Sequence, residues 1–227
     1  MLSVASELML LALNEEKGIL EHGVSSAIDF GLIGGLIFDL AVNNNVKITD
    51  NRISRALDQN TEDKIYDQLL NELDKQENEI RLADFFKAFL KNEPKLQSII
   101  CNRLVEQDIL FTSNKNVVRL LPKQHFPTLK PEIEEEIRKR LARVLIYDER
   151  PDLSTIMLIN LTRECRILPV IFDKDQIDIA EKKAEKLTII DIFAPETNKL
   201  ITAINSAVVE CILDSRKNSE RIIEKDL

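Results

Sequence analysis

Few residues in this chain have the side chains that most often carry chemistry, and they lie far apart in sequence. The two histidines are His22 and His125, and neither stands at a metal-ligand spacing from a cysteine or from the other histidine. Cys101, Cys165 and Cys211 lie in helical patterns, which is typical of reduced thiols in a protein core. The motifs of serine hydrolases and zinc proteases are absent. The sequence therefore predicts no catalytic residue, no metal site and no cofactor, and hence not an enzyme.

Two further patterns could suggest a ligand site but are better explained by structure. The acidic runs Glu15–Glu16 and Glu134–Glu136 are predicted on solvated surfaces, which do not favour general acid-base catalysis. The glycine-rich segment 31–35, GLIGG, matches neither the dinucleotide fingerprint nor the phosphate loop, because no strand precedes it and no Lys-Ser/Thr follows. We interpret its glycines as positions where neighbouring backbones approach closely.

The composition indicates a folded protein of the cytoplasm. With 44% hydrophobic and 31% charged residues, the 227-residue chain can bury a substantial core. No secretory signal is predicted at its first residues. The formal net charge of −8 disfavours general attraction to nucleic acid or to an anionic membrane, although local basic patches can still act. We expect a cytoplasmic location, with peripheral association with a membrane as the other option.

The segment Ser25–Val42 is predicted to be the central helix of the fold. Ser26 and Asp29 have the spacing of a helix start, and only Asp29 and Asp39 interrupt an otherwise apolar or small sequence. A helix that is apolar on every face belongs in a protein interior. At about 1.5 Å per residue the segment reaches roughly 27 Å, and its two aspartates and three glycines disfavour a membrane span.

Helical periodicity also dominates the rest of the chain. Apolar stripes predict further helices near residues 5–13, 61–76, 82–91, 95–106, 131–145, 153–165, 176–187 and 198–213. Strand patterns occur only as two hairpins, one around Asp50-Asn51 and one at about Ser113–Gln124. We predict a mostly α, single helical domain over residues 1–213 with small β-hairpin appendages, followed by a polar tail, residues 214–227, that frays.

A helix followed by a hairpin also resembles the winged-helix arrangement of nucleic-acid-binding modules. The helix Lys95–Glu106 would then present Lys95 and Arg103, and the hairpin would add Lys115 and Arg119. Useful affinity for a duplex generally needs more phosphate contacts than these. A nucleic-acid-binding module is therefore an alternative, and we expect no nucleic-acid partner.

Four stretches of the chain, in this order, are similar to the Golgi phosphoprotein three family. The first three are residues 2–20, LSVASELMLLALNEEKGIL; residues 25–48, SSAIDFGLIGGLIFDLAVNNNVKI; and residues 102–127, NRLVEQDILFTSNKNVVRLLPKQHFP. The fourth is the closing stretch, which contains AEKKAEKL at residues 180–187 and ITAINSAVV at residues 201–209. The resemblance implies one mostly helical domain around a buried central helix. It also implies a peripheral membrane protein that binds phosphatidylinositol 4-phosphate.

The same resemblance implies that the hairpin at about Ser113–Gln124 packs between subunits through Val117, Val118 and Leu120. Because Val117-Val118 and Leu120-Leu121 place apolar side chains on both faces of a short ribbon, burial against a partner would remove an exposed apolar edge. We expect a homo-oligomer formed through this hairpin.

The pocket for the lipid head group is where the sequence departs from the resembled proteins. The family has a tryptophan and three basic residues there, and the corresponding positions here hold Val24, Ile33, Pro94 and Gln97. None of them can pair with a phosphate by charge. Three nearby cations are candidate substitutes for head-group contacts: Lys91, Lys95 and Arg103.

The leading hypothesis is a non-enzymatic peripheral-membrane adaptor whose partners are an anionic phospholipid and membrane-protein clients. The first alternative is a cytoplasmic self-associating scaffold with no lipid ligand, and the second is the winged-helix-like module. Recruitment to vesicles that contain phosphatidylinositol 4-phosphate separates the leading hypothesis from both alternatives.

Overall fold

The computed structural model describes residues 2–24, 28–57, 60–76, 78–93, 95–112, 125–189 and 193–223. Within these ranges the protein is mostly helical with one small sheet. The helices are α1 (Val4–Ala12), α2 (Ile28–Val42), α3 (Lys64–Asp74), α4 (Leu82–Asn92), α5 (Leu96–Glu106), α6 (Pro131–Leu145), α7 (Leu153–Glu164), α8 (Leu168–Ile171), α9 (Lys174–Ile189) and α10 (Pro195–Ile223). The strands are β1 (Val46–Thr49), β2 (Arg52–Arg55) and β3 (Ile80–Arg81). The predicted fold class is confirmed.

Helix α2 is the centre of the hydrophobic core, as its apolar sequence predicts. It packs against α1, α4, α5, α7 and α10. Every residue from Gly31 to Phe38 is buried, so this part of the helix exposes almost no apolar surface to water. Ser25–Ala27, where the helix start was predicted, lies outside the described residues. The amphipathic helices α3 and α6 turn their apolar faces to the elements around α2, α3 to α4 and β2 and α6 to α1, α7 and α9.

The three glycines of α2 each face a different helix. An added Cβ at Gly31 would lie 2.5 Å from the Sγ of Cys165, which follows α7. At Gly34 it would lie 2.8 Å from a methyl group of Val208 in α10, and at Gly35 it would lie 2.8 Å from the backbone nitrogen of Ala5 in α1. The interpretation of these glycines as points of close packing is confirmed.

We expect the Gly35→Ala substitution to destabilise the protein by about 1–2 kcal/mol. The new methyl group would meet the backbone of α1, and overpacking of this kind outweighs the gain in helix propensity of about 1 kcal/mol. Urea unfolding of both proteins measures the difference. Gly34→Ala is the matched control and should cost less, because its methyl group meets side-chain methyl groups, which can shift further than the backbone of α1. Equal or higher stability of Gly35→Ala would contradict this account of the packing.

The first predicted hairpin is confirmed and carries an additional strand. β1 and β2 are antiparallel, with Ile48 opposite Ile53, and β2 also pairs with β3. Asp50 and Asn51 have φ angles of 50° and 60°, the left-handed conformation that a two-residue turn requires. β3 is only two residues long, which is too short for a periodic pattern in the sequence to predict.

The second predicted hairpin, at Ser113–Gln124, lies outside the described residues, together with Val117, Val118 and Leu120. The segments on either side of it show an unexpected pairing. Residues 125–130, predicted as loop, pair with the end of the connection after α5, through a bridge between Leu110 and Thr128. Periodicity could not predict this pairing, because each segment contributes only about three residues.

The C-terminal helix is longer than expected. The polar residues from Asp214 were predicted to fray, but α10 continues to Ile223. Lys87 of α4 lies 2.6 Å from a carboxylate oxygen of Asp214, and Arg81 lies 2.7 Å from Glu210. These ion pairs, made with α4 and the residue before it, hold the start of the polar stretch against the domain.

Candidate functional site

The three cations proposed for head-group contacts do not meet at one point. Lys91 is exposed in the last turn of α4, and Lys95 is the exposed N-cap residue of α5. Arg103 lies in the last turn of α5, about 12 Å from Lys95 along the helix axis. The fold therefore brings Lys91 and Lys95 to the same connection between helices and places Arg103 at the other end of α5.

Arg103 is engaged in contacts that stabilise the fold. Its guanidinium lies 2.8 Å from a carboxylate oxygen of Asp63 and 5.4 Å from the centre of the Tyr66 ring. Asp63 is itself the N-cap residue of α3 and accepts a hydrogen bond from the backbone of Ile65. The charge of Arg103 is thus already balanced, which disfavours it as a phosphate ligand in either a lipid or a nucleic-acid site.

A half-buried carboxylate, that of Asp39, lies near this ion pair. Asp39 of α2 accepts hydrogen bonds from the hydroxyl of Tyr66 at 3.0 Å and from the backbone nitrogen of Val4 at 3.2 Å. Burial raises the pKa of Asp39 to about 6, against the smaller opposing effect of these hydrogen bonds. Burial also raises the pKa of Tyr66, so its hydroxyl stays protonated. These hydrogen bonds join α1, α2 and α3, so their role is to hold the three helices together.

The positions that the resemblance assigns to the head-group pocket are not cationic. Ile33 is fully buried in α2, Val24 is half-buried, and Pro94 lies outside the described residues. Gln97 of α5 donates a hydrogen bond of 3.2 Å to Asp29, the acidic residue in the first turn of α2. Because a carboxylate and an amide occupy this place, a phosphate would find repulsion there instead of a counter-charge.

The two segments that flank residues 113–124 pair with each other through their backbones. The backbone nitrogen of Phe111 donates to the carbonyl of Pro127 at 3.0 Å, and that of Leu129 donates to Ile109 at 2.8 Å. The loop after α1 also packs against residues 125–130, since the backbone nitrogen of Phe126 donates to the carbonyl of Gly18 at 2.9 Å. Gly18 has a φ of +61°, and a Cβ there would lie 2.2 Å from the Phe126 backbone, so only glycine fits.

This arrangement presents three large apolar side chains to solvent. Ile19 is 40% exposed, Phe111 is 44% exposed and Leu129 is 52% exposed. We call these three residues the apolar surface. Sequence reasoning missed it, because the residues come from three segments, although Phe111 lies just before the predicted hairpin and could have drawn attention. Large apolar side chains exposed on neighbouring, hydrogen-bonded segments are typical of a surface that contacts a protein or a membrane.

The thiols and the carboxylates suggest no catalytic centre among the described residues. Cys101, Cys165 and Cys211 are buried, and burial raises the pKa of each thiol to about 12, so the reactive thiolate is scarce. Within the described part of the chain no group of three or more histidine, cysteine or acidic residues could hold a metal ion. No helix there is long and apolar enough to cross a membrane.

Comparison with models of known families identifies the family of this chain. No curated protein matches the chain. Residues 4–204 match the family described as Golgi phosphoprotein 3 (GPP34), and this range includes α1 to α9 and the first part of α10. The match therefore covers the central helix, the connections around the apolar surface and most of the core. This chain belongs to the Golgi phosphoprotein 3 family.

Proposed function

We propose that this protein is a non-enzymatic, peripheral-membrane adaptor of the Golgi phosphoprotein type that binds an anionic phospholipid such as phosphatidylinositol 4-phosphate. The observation that carries the proposal is the apolar surface, in which Phe111 and Leu129 flank segment 113–124 and Ile19 lies in the adjoining loop after α1. That segment contributes Val117, Val118 and Leu120 in sequence. Family membership supports the adaptor role.

The energetics favour insertion of apolar side chains together with a specific head-group contact. Removing each of the three side chains from water contributes on the order of 1 kcal/mol. With a net charge of −8, the protein gains little from non-specific attraction to an anionic bilayer. Recruitment by the apolar surface alone would therefore be weak, and stable association requires a second contact with the lipid.

Vesicle flotation tests the proposal. The protein should float with phosphatidylcholine vesicles that contain phosphatidylinositol 4-phosphate and stay largely behind with phosphatidylcholine alone. Replacement of Phe111 by Asp should reduce the floated fraction about tenfold, because it places a charge at the membrane surface. Tyr147→Asp is the matched control, since Tyr147 is 69% exposed and follows the far end of α6. Equal flotation of both variants, or none with either vesicle, would refute the proposal.

The second candidate function is a self-associating scaffold without a lipid ligand, and the same apolar surface favours it. In that case Val118→Asp should lower the mass measured by light scattering after gel filtration, while flotation of the unaltered protein should be absent. If Val118→Asp instead releases the protein from vesicles at unchanged mass, the segment contacts lipid. A homo-oligomer formed through this segment and membrane-protein clients remain proposed partners.

The nucleic-acid alternative has less support. It needs Lys95 and Arg103 available to phosphates, and Arg103 is paired with Asp63. A salt-sensitive gel shift that disappears when both cations are changed to Glu would favour it over the membrane proposal.

A further inference from the structure

A cavity of about 300 Å³ lies between the loop that precedes α2 and the C-terminal end of α7. Its charged and polar walls are His22, Arg163, Arg166 and Glu181, and its apolar floor is formed by residues 168–170 of α8. This volume is at the lower end of the range for small-molecule sites. The cavity does not include Val24, Ile33, Gln97 or the candidate cations at 91, 95 and 103.

The basic side chains of this cavity are only partly engaged. Within the described part of the chain, Arg166 and His22 have no recorded side-chain hydrogen bond or ion pair. Arg163 pairs through one nitrogen with Glu164 at 2.7 Å, which leaves the rest of its guanidinium available. The cavity lining has one acid, Glu181, and Glu164 occupies only one nitrogen of Arg163, so the N–H donors of Arg166 and the rest of the Arg163 guanidinium can bind an anion.

The backbone at Arg166 provides an independent argument. α7 ends in a motif in which Ile167 donates to the carbonyl of Thr162 at 2.8 Å and Arg166 donates to that of Arg163 at 3.1 Å. This motif places Arg166 at a φ of 60°, where glycine is the usual residue. The other described non-glycine residues with positive φ are all asparagine or aspartate. A long basic residue at the least suitable position for one suggests a function for its side chain.

We propose that this cavity binds a phosphate monoester, with Arg163 and Arg166 contacting the phosphate oxygens. A phosphate monoester carries nearly two negative charges and three acceptor oxygens, which matches two guanidinium groups and an imidazole better than a single carboxylate would. Glu181 faces the same space and can accept hydrogen bonds from hydroxyl groups on the carbon chain that carries the phosphate.

The phosphate can be part of a soluble metabolite or of a lipid head group. The loop between α1 and α2 carries both Ile19 of the apolar surface and His22 of the cavity, and three residues span at most about 11 Å. A membrane that contacts Ile19 would therefore hold its head groups near the cavity. The lipid source rests on the proposed function, whereas the soluble source does not.

Calorimetric titration of the full chain with inorganic phosphate and with glycerol 2-phosphate at constant ionic strength tests the site. Binding should be saturable, and Arg166→Gly and Arg163→Gln should each weaken it about 10- to 100-fold. Arg166→Gly also relieves the left-handed backbone, so its melting temperature should not fall, which separates lost binding from lost folding. Arg52→Gln, an exposed arginine on β2, is the matched control and should bind as the unaltered protein does.

Each other result has a defined meaning. The proposed site is refuted if neither phosphate shows saturable binding. It is also refuted if Arg166→Gly and Arg163→Gln bind phosphate as tightly as the unaltered protein does. If both variants lose phosphate binding and Arg166→Gly also loses flotation on vesicles with phosphatidylinositol 4-phosphate, the source is a lipid. If flotation is unchanged, the source is soluble. If the unaltered protein binds phosphate but does not float with either kind of vesicle, the phosphate site is supported and the membrane proposal is refuted.

Discussion

Replacement of Arg140 by Met should lower the free energy of unfolding by about 3–5 kcal/mol. Arg140 of α6 makes a hydrogen-bonded ion pair with Glu7 of α1, and the residue Glu7 is only 5% exposed. Without its partner, the carboxylate of Glu7 would be an unpaired charge in the core, or would have to bind a proton. Burial already raises the pKa of Glu7, and the hydrogen bond from Arg140 opposes this increase.

Urea unfolding at neutral pH measures this effect, and a double variant tests its cause. Glu7→Leu combined with Arg140→Met removes both charges, so it should recover much of the stability that Arg140→Met alone loses. Arg143→Met on the same helix is the control. Its partner Glu149 is exposed and 3.5 Å away, so the cost should stay within about 1 kcal/mol. A loss for Arg140→Met no larger than for Arg143→Met would contradict the proposed burial of this charge.

The protein should lose about 2–3 kcal/mol of stability between pH 4 and pH 6 through Asp39 alone. The pKa of Asp39 is raised to about 6 in the folded state, chiefly by burial. The folded protein therefore holds this proton more tightly than the unfolded chain, whose Asp titrates near 3.9. The stabilisation is complete below the unfolded pKa and is lost as the pH rises through the folded value.

The difference between the unaltered protein and Asp39→Asn isolates this contribution, because other buried carboxylates affect both proteins equally. The variant should show a flatter dependence of unfolding free energy on pH from 4 to 6, measured by urea unfolding at a series of pH values. The exposed Glu106→Gln variant should keep the original slope. Parallel curves for Asp39→Asn and the unaltered protein would show that Asp39 titrates normally.

Periodicity was a good guide where a helix is long and its burial is uniform. The apolar run that ends at Val42 could only be stable in the interior, and the glycine spacing within it required close neighbours. The short elements β3 and α8 could not be predicted, because two residues of strand and four residues of helix contain only about one period of either pattern. The continuation of α10 was missed for a different reason, since Asp214 is held by Lys87 of α4.

The candidate sites were much harder to predict than the fold. Arg103 looked like an available cation in sequence, but Asp63, 40 residues earlier, neutralises it in the structure. In the cavity, His22 is about 140 residues away from Arg163 and Arg166 along the chain, and no local motif connects it to them. Charge alone does not indicate whether a side chain has a partner.

The sequence by itself determined the fold class, the position of the central helix and the family resemblance, because these depend on the order and spacing of apolar residues along the chain. Only the tertiary structure decided which charges are paired and which surfaces stay exposed. Those properties depend on contacts between segments distant in sequence, such as Ile19 beside the strip that carries Phe111 and Leu129. Pairing and exposure are properties of the packed chain, and residue order alone does not specify them.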